Sequence, residues 1–292
     1  MTSFTSLPNS SASIRFGRNL ARIGPARLIA SLFGLLLILL ATFPGVFTAQ
    51  SPSAIDSGSI LQGPSLAHPL GTDEAGGDLW SRLVYSTQLE LTIAAGSVLV
   101  AMLIGIPAGL ASGLFGKFLD GFLTSVSSAT LAFPLVLFAI LMVASFGTTT
   151  LSLTAIIGFL FFPRFFLLMR AQTLSLKERE FVTALRVAGA RSPRILFRHI
   201  LPNSAGPLIT LIPNLMAEAI LIEAGLSYLG LGVELPATTW GTILEASKSY
   251  YVVAPWYAIA AGLTITVVAA SLMLSGELIA ESANPLRRRR RS

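Results

Sequence analysis

Near the start of the chain, His68, Asp73, Glu74 and Asp78 lie in one short stretch. Carboxylates and imidazole are ordinary ligands of divalent cations. One histidine without a helical frame to fix its neighbours makes a poor cage, so no metal is assigned. Asp78 has a simpler use, because it stands just ahead of Leu79 and can cap a helix beginning there. Two further carboxylates, Glu218 and Glu223, sit inside an apolar run. Charge is expensive in such a setting, which places them against other helices, a polar pathway or the extracytoplasmic mouth. Five positions put them roughly 140° apart beyond a full helical turn, so they are expected to have different partners. Hydrolytic chemistry has no equipment here. His68 and His199 are the two histidines, and neither a His-Glu-x-x-His nor a Gly-x-Ser-x-Gly pattern occurs. Gly116-Lys117 has Ala111 and Phe118 where a phosphate loop needs glycine and a hydroxyl. No catalytic residue and no bound cofactor are assigned.

The elements that must position these residues follow from composition. The 292-residue chain is 53% hydrophobic and 12% charged, with no cysteine. Soluble domains carry about 25% charged residues, so this chain is built for a bilayer. A spanning helix needs about 20 apolar residues. Runs near Leu28–Phe47, Leu91–Leu114, Gly121–Phe146, Leu151–Arg170, Ser204–Leu226 and Ala254–Gly276 predict an all-α integral membrane protein with six transmembrane helices. An uncleaved first span is preferred to a signal peptide, because the apolar region is long and its leader extended. Arg164 interrupts the fourth run and is expected to snorkel towards a headgroup layer.

With six spans, eighteen of the twenty Lys and Arg residues fall on one side, and only Arg82 and Lys248 on the other. The positive-inside rule then places both termini in the cytoplasm. The expected organisation is a cytoplasmic segment 1–27, a membrane domain 28–280 and a basic cytoplasmic tail 281–292. Within the membrane domain, 50–89 is extracytoplasmic and 174–203 is a cytoplasmic loop. The basic charge is a topology signal, so nucleic acid is not expected as a partner. In the second span Gly105, Gly109 and Gly113 recur every four residues, a spacing that lets another helix backbone come close, and Pro107 predicts a kink.

The loop is punctuated as two short helices. Phe181, Ala184, Leu185 and Ala188 recur at helical spacing with charges elsewhere on the wheel. Gly189 suits the left-handed position that ends a helix, and Ser192-Pro193 reads as an N-cap followed by proline at the first helical position. An amphipathic helix outside the membrane buries its apolar stripe on lipid, on its own chain or on a partner. Arg179, Arg186, Arg191, Arg194 and Arg198 offer forks for carboxylates at its rim.

The stretch Glu180–Asn203, with Ala184, Gly189 and Ile200-Leu201-Pro202-Asn203, resembles the "EAA" loop of ABC importer permeases. The segments His68-Pro69-Leu70-Gly71-Thr72-Asp73-Glu74-Ala75-Gly76-Gly77-Asp78 and Leu226-Ser227-Tyr228-Leu229-Gly230-Leu231-Gly232 are similar to signatures of the C-type permease subunit of dipeptide, oligopeptide and nickel importers. Three departures stand out. Thr183-Ala184-Leu185 replaces Glu-Ala-Ala, His199 replaces an isoleucine, and Gly77 stands where arginine is usual. The resemblance implies a type I ABC importer-like permease fold in the bacterial inner membrane. It implies a second permease subunit, cytoplasmic ATPases that carry the ATP and Mg²⁺, and an extracytoplasmic substrate-binding protein. The coupling contact to the ATPase falls on Glu180, Phe181, Ala184, Leu185, Arg186, Gly189, Ala190, Arg194, His199, Leu201 and Pro202. Peptides are the first cargo expected; nickel chelates, glutathione and haem are carried by similar systems. A stand-alone secondary transporter is the alternative class, but no internal repeat supports it.

Overall fold

The computed structural model describes residues 25–114, 116–234 and 236–283, all of whose regular elements are helical. The segments 1–24 and 284–292, and with them most of the two basic ends, lie outside the described residues. In chain order the helices are α1 (Pro25–Thr42), the short α2 (Pro44–Phe47), α3 (Leu79–Leu114), α4 (Lys117–Ala132), α5 (Leu135–Phe146) and α6 (Thr150–Leu176). The loop helices α7 (Glu180–Val187), α8 (Ser192–Ile195) and α9 (Leu201–Asn203) follow, then α10 (Ala205–Tyr228), α11 (Trp240–Ala246) and α12 (Pro255–Ala283). Four of them, α3, α6, α10 and α12, are long and apolar enough to cross a membrane, and the bent pair α4–α5 makes five if it crosses as one.

Several boundaries differ from the hydropathy reading for physical reasons. The second apolar run begins at Leu91, yet α3 begins twelve residues earlier. Arg82, Gln88 and Glu90 end the apolar run, but a helix backbone satisfies itself whatever its side chains, and Arg82 is neutralised by Asp73. The run 121–146 is two helices, bent by 96°. Pro134 lacks an N–H and pushes the preceding residue out of the helical region; Phe133 is extended at φ −85°, ψ 140°. The same effect before Pro44 separates α1 from α2, with Phe43 outside helical dihedrals. Pro107, by contrast, is accommodated within α3.

The core is built on α3 lying against α6. A methyl placed at Gly105 would come within 2.7 Å of Phe165 Cβ, and one at Gly109 within 2.6 Å of the Phe166 carbonyl. At Gly113 it would meet Thr173. The approach is reciprocal, since Gly158 of α6 sits as closely under the Ser97 carbonyl. Around this seam Leu153, Ile157, Leu160, Phe161, Phe165, Phe166 and Met169 are fully buried. Helix α10 packs between α12 and α3, and α11 is anchored by Trp240, whose buried indole donates to the Leu83 carbonyl at 3.0 Å.

Replacing Gly109 by valine should therefore force two backbones apart, at a cost of about 2 kcal/mol or more. Gly262→Ala in α12, where nothing lies within 4 Å, should be neutral or stabilising. Thermal melting of both detergent-solubilised variants checks this; equal midpoints would contradict the seam.

Candidate functional site

Helix α6 runs past the end of the apolar region into the loop. Lys177 donates to the Gly113 carbonyl at 3.0 Å, pinning the loop's root to the end of α3. Beside it Arg170 forms a two-pronged ion pair with Asp120 of α4, with Nη2 to Oδ2 at 2.7 Å, and Ser112 of α3 donates to the same carboxylate. The charged side chains thus tie α3, α4 and α6 together where the loop departs. This cluster was not singled out in the sequence; a lone aspartate at the start of an apolar run, facing an arginine fifty residues on, was the available signal.

Helix α7 then closes as its glycine requires. Gly189 adopts φ +79°, Ala190 N–H reaches the Leu185 carbonyl at 2.9 Å and Gly189 N–H the Arg186 carbonyl at 3.0 Å, the hydrogen-bond pair of a Schellman end. Helix α8 starts differently from expectation. Arg191, extended at φ −70°, ψ 145°, is the N-cap, and Ser192 is already the first helical residue with no capping bond. The chain continues as a wide turn over Leu196–Ile200 and enters α9.

The apolar stripe of α7 is also redistributed. Val182 is the residue that turns inward, joining Ile195, Leu196 and Ile200 in the core, with Leu185 and Ala190 packed against it. Phe181, Ala184 and Ala188 stay exposed. Phe181 is 41% accessible, and Val187 and Phe197 are 85% and 62% accessible. Glu180, Arg186, Arg194 and Pro202 are exposed, while His199 and Leu201 are half-buried. Among the described residues, none of the loop arginines Arg179, Arg186, Arg191, Arg194 and Arg198 forms an ion pair. The loop is anchored on one side and open, apolar and cationic on the other.

The two carboxylates inside α10 do have different partners. Glu218 pairs with Arg164 of α6 through both guanidinium nitrogens, Nη2 to Oε1 at 2.7 Å. Arg164 therefore does not snorkel; it is held mid-helix by a counter-charge. Glu223 is fully buried and accepts from Ser227 Oγ at 2.7 Å. It interacts with a second buried carboxyl, Glu90 of α3. Glu90 lay just ahead of the apolar run and was missed for that reason.

In the 50–89 segment Asp73 and Asp78 are committed to backbone N–H groups. Asp78 Oδ2 accepts from Ser81 N–H at 2.8 Å, the expected cap of α3, and Oδ1 lies 3.1 Å from His68 Nδ1. Asp73 Oδ1 accepts from the N–H groups of Ala75 and Gly77, both at 2.8 Å, while Oδ2 pairs with Arg82. Thr72 Oγ1 accepts from Gln62 N–H at 2.7 Å. Gly71, at φ +83°, packs against Trp256, 2.6 Å from indole Nε1 to a Cβ placed there. Pro69 and Leu70 complete the turn into this lock. No group of three or more potential metal ligands occurs among the described residues.

With this geometry, residues 105–285 match the family described as binding-protein-dependent transport system inner membrane component. The chain belongs to that family. It is 34% identical over 248 residues to the dipeptide transport system permease protein of Alkalihalophilus pseudofirmus, covering 85% of this chain and 82% of that protein. It is likewise 34% identical over 257 residues to the glutathione transport system permease protein of Pectobacterium atrosepticum, with coverages of 88% and 85%. Its fold is similar to a chain of the MetNI methionine ABC transporter in an inward-facing conformation, with a TM-score of 0.55. That likeness spans 69% of this chain and 95% of the other at 14% identity, and is one of fold. The family match takes in the α6 seam, the loop and α10–α12, and leaves the 50–89 segment ahead of it.

That segment's role in holding α3 can be tested directly. Asp78→Ala should remove the cap and orphan His68, destabilising the protein by about 1 kcal/mol, whereas Asp78→Asn should keep most of the stability. Thermal melting of the two variants distinguishes them; equal losses would deny the capping role.

Proposed function

We propose that this chain is a transmembrane permease subunit of an ATP-driven importer of di- and oligopeptides in the bacterial inner membrane. It crosses six times, with α1 as the first span and both termini in the cytoplasm. It pairs with a second permease subunit, receives cargo from an extracytoplasmic binding protein over the 50–89 segment, and is driven by cytoplasmic ATPases that hold ATP and Mg²⁺. The names of the dipeptide and glutathione relatives support a peptide-like cargo. Glutathione, itself a tripeptide, is the second reading that one of those names favours. With Arg164 set aside at mid-helix, the seventeen-to-two division of the other basic residues supports the orientation.

The observation that carries the reading is the open face of α7. An eight-residue helix outside the apolar elements leaves Phe181, Ala184 and Ala188 uncovered and surrounds them with unpaired arginines. Such a surface fits a groove with an apolar floor and an acidic rim, and the small alanines allow close approach. Movement of the docked helix passes to the spans through the Lys177–Gly113 contact and the Asp120–Arg170 pair, as a rigid-body displacement.

Because the chain has no cysteine, single cysteines report topology without background. A membrane-impermeant thiol reagent applied to intact spheroplasts should label Ser57→Cys and spare Ser192→Cys, with both labelled after lysis. The reverse pattern would sink the orientation. Ala184→Glu should lower peptide uptake by tenfold or more and reduce ATPase co-purification in mild detergent, at unchanged permease level. Undiminished co-purification and uptake would refute docking at this face.

A further inference from the structure

The Arg164–Glu218 pair joins α6 to α10 at a place unlike that of any other charged cluster among the described residues. Counting 1.5 Å per residue, Arg164 lies about 21 Å from one end of α6 and about 18 Å from the other. Glu218 lies about 20 Å and 15 Å from the ends of α10. Both are therefore near the middle of their apolar helices, and both remain open: the side chains are 38% and 27% accessible. Hydrocarbon is a poor neighbour for charged groups, so this face meets protein or water. The other charged clusters differ. Glu90 and Glu223 are sealed within the core, and Asp120–Arg170 lies at the root of the loop. Arg82, which lines a cavity of about 430 Å³ beside α3, is committed to Asp73.

We propose that Arg164 and Glu218 form a contact site on the translocation path for the charged termini of a zwitterionic peptide. Glu218 takes the ammonium and Arg164 the carboxylate. This deepens the peptide-importer reading and rests on it. A free peptide carries one charge of each sign, so entry exchanges one ion pair for two and leaves no charge unmatched. The guanidinium fork suits a carboxylate in the same two-pronged geometry it makes with Glu218. Arg164 is also held 5.5 Å above the ring of Phe161, itself fully buried in the α3 seam, which keeps the cation in place when its partner turns to cargo. In the empty protein the two side chains neutralise each other.

The test uses the whole complex, with its binding protein and ATPases, in proteoliposomes. Uptake is measured for a free dipeptide, its N-acetylated form and its C-terminal amide, and the affinity of the isolated binding protein for each is measured separately and divided out. Glu218→Gln should lower uptake of the free dipeptide about tenfold while leaving the N-acetylated form little changed. Arg164→Gln should do the same with the C-amide as the insensitive cargo. Should a single variant fail to assemble, the double variant Arg164→Glu with Glu218→Arg keeps an ion pair; its uptake of free dipeptide should stay several-fold below wild type. Equal losses across all three cargoes, wild-type uptake by the double variant, or unchanged uptake by both single variants would overturn the site. The pair would then serve only to join α6 to α10 or to a second subunit. Absence of peptide uptake by the wild-type complex would instead refute the importer reading, and this site with it.

Discussion

The close approach of two helix backbones, α3 and α6, is the constraint on which the rest of this protein depends. Lipid tails are as apolar as leucine side chains, so there is little hydrophobic gain in bringing two spans together within a bilayer. Association has to come from dispersion contacts at short range and from polar groups satisfied inside the protein. The glycines at 105, 109 and 113 on one side and at 158 on the other give that proximity. Once the seam is formed, the large rings of Phe161, Phe165 and Phe166 fill the space beside it, and α10 and α12 have a fixed surface to pack on.

Charge is handled by the same logic. Three ion pairs each join separate elements: Arg170 with Asp120, Arg164 with Glu218, and Arg82 of α3 with Asp73 of the 50–89 segment. These pairs connect elements that the apolar contacts alone would leave free to slide, and they do so at three levels along the bundle. The loop arginines are the contrast. They stand outside the apolar elements with no acidic partner among the described residues, and that is where a partner protein is placed under the proposed function.

Much of this was legible in the sequence. Local rules were sufficient wherever one residue decides: Gly189 ends α7 and Asp78 caps α3. The four-residue glycine repeat announced a close packing face, although not that its partner was α6. What hydropathy could not deliver was the long-range pairing. Arg164 in an apolar run reads as a snorkelling side chain until Glu218, fifty-four residues on, is brought beside it. Glu90 reads as the end of a surface segment until α3 proves to start at Leu79. Proline had local force that a window average conceals, and Pro134 turned one apparent span into two helices. On α7, spacing identified an apolar stripe but not which side would be covered, because Val182 rather than Phe181 found the core.

Helix α3 has a mechanical consequence beyond its role in the core. Its 36 residues extend about 54 Å, well past the roughly 30 Å of a bilayer's hydrocarbon. One end is clamped by Asp78 and by the Arg82–Asp73 pair; the other carries Ser112 and Gly113, which hold Asp120 and Lys177. The lock around Asp73 and Asp78 and the loop's root are thus two ends of one lever. A tilt of about 5° pivoting at one end moves the other by about 5 Å, close to one helical turn. Small rotations, with no helix melting or sliding, would be enough for each face of the membrane to register what happens at the other.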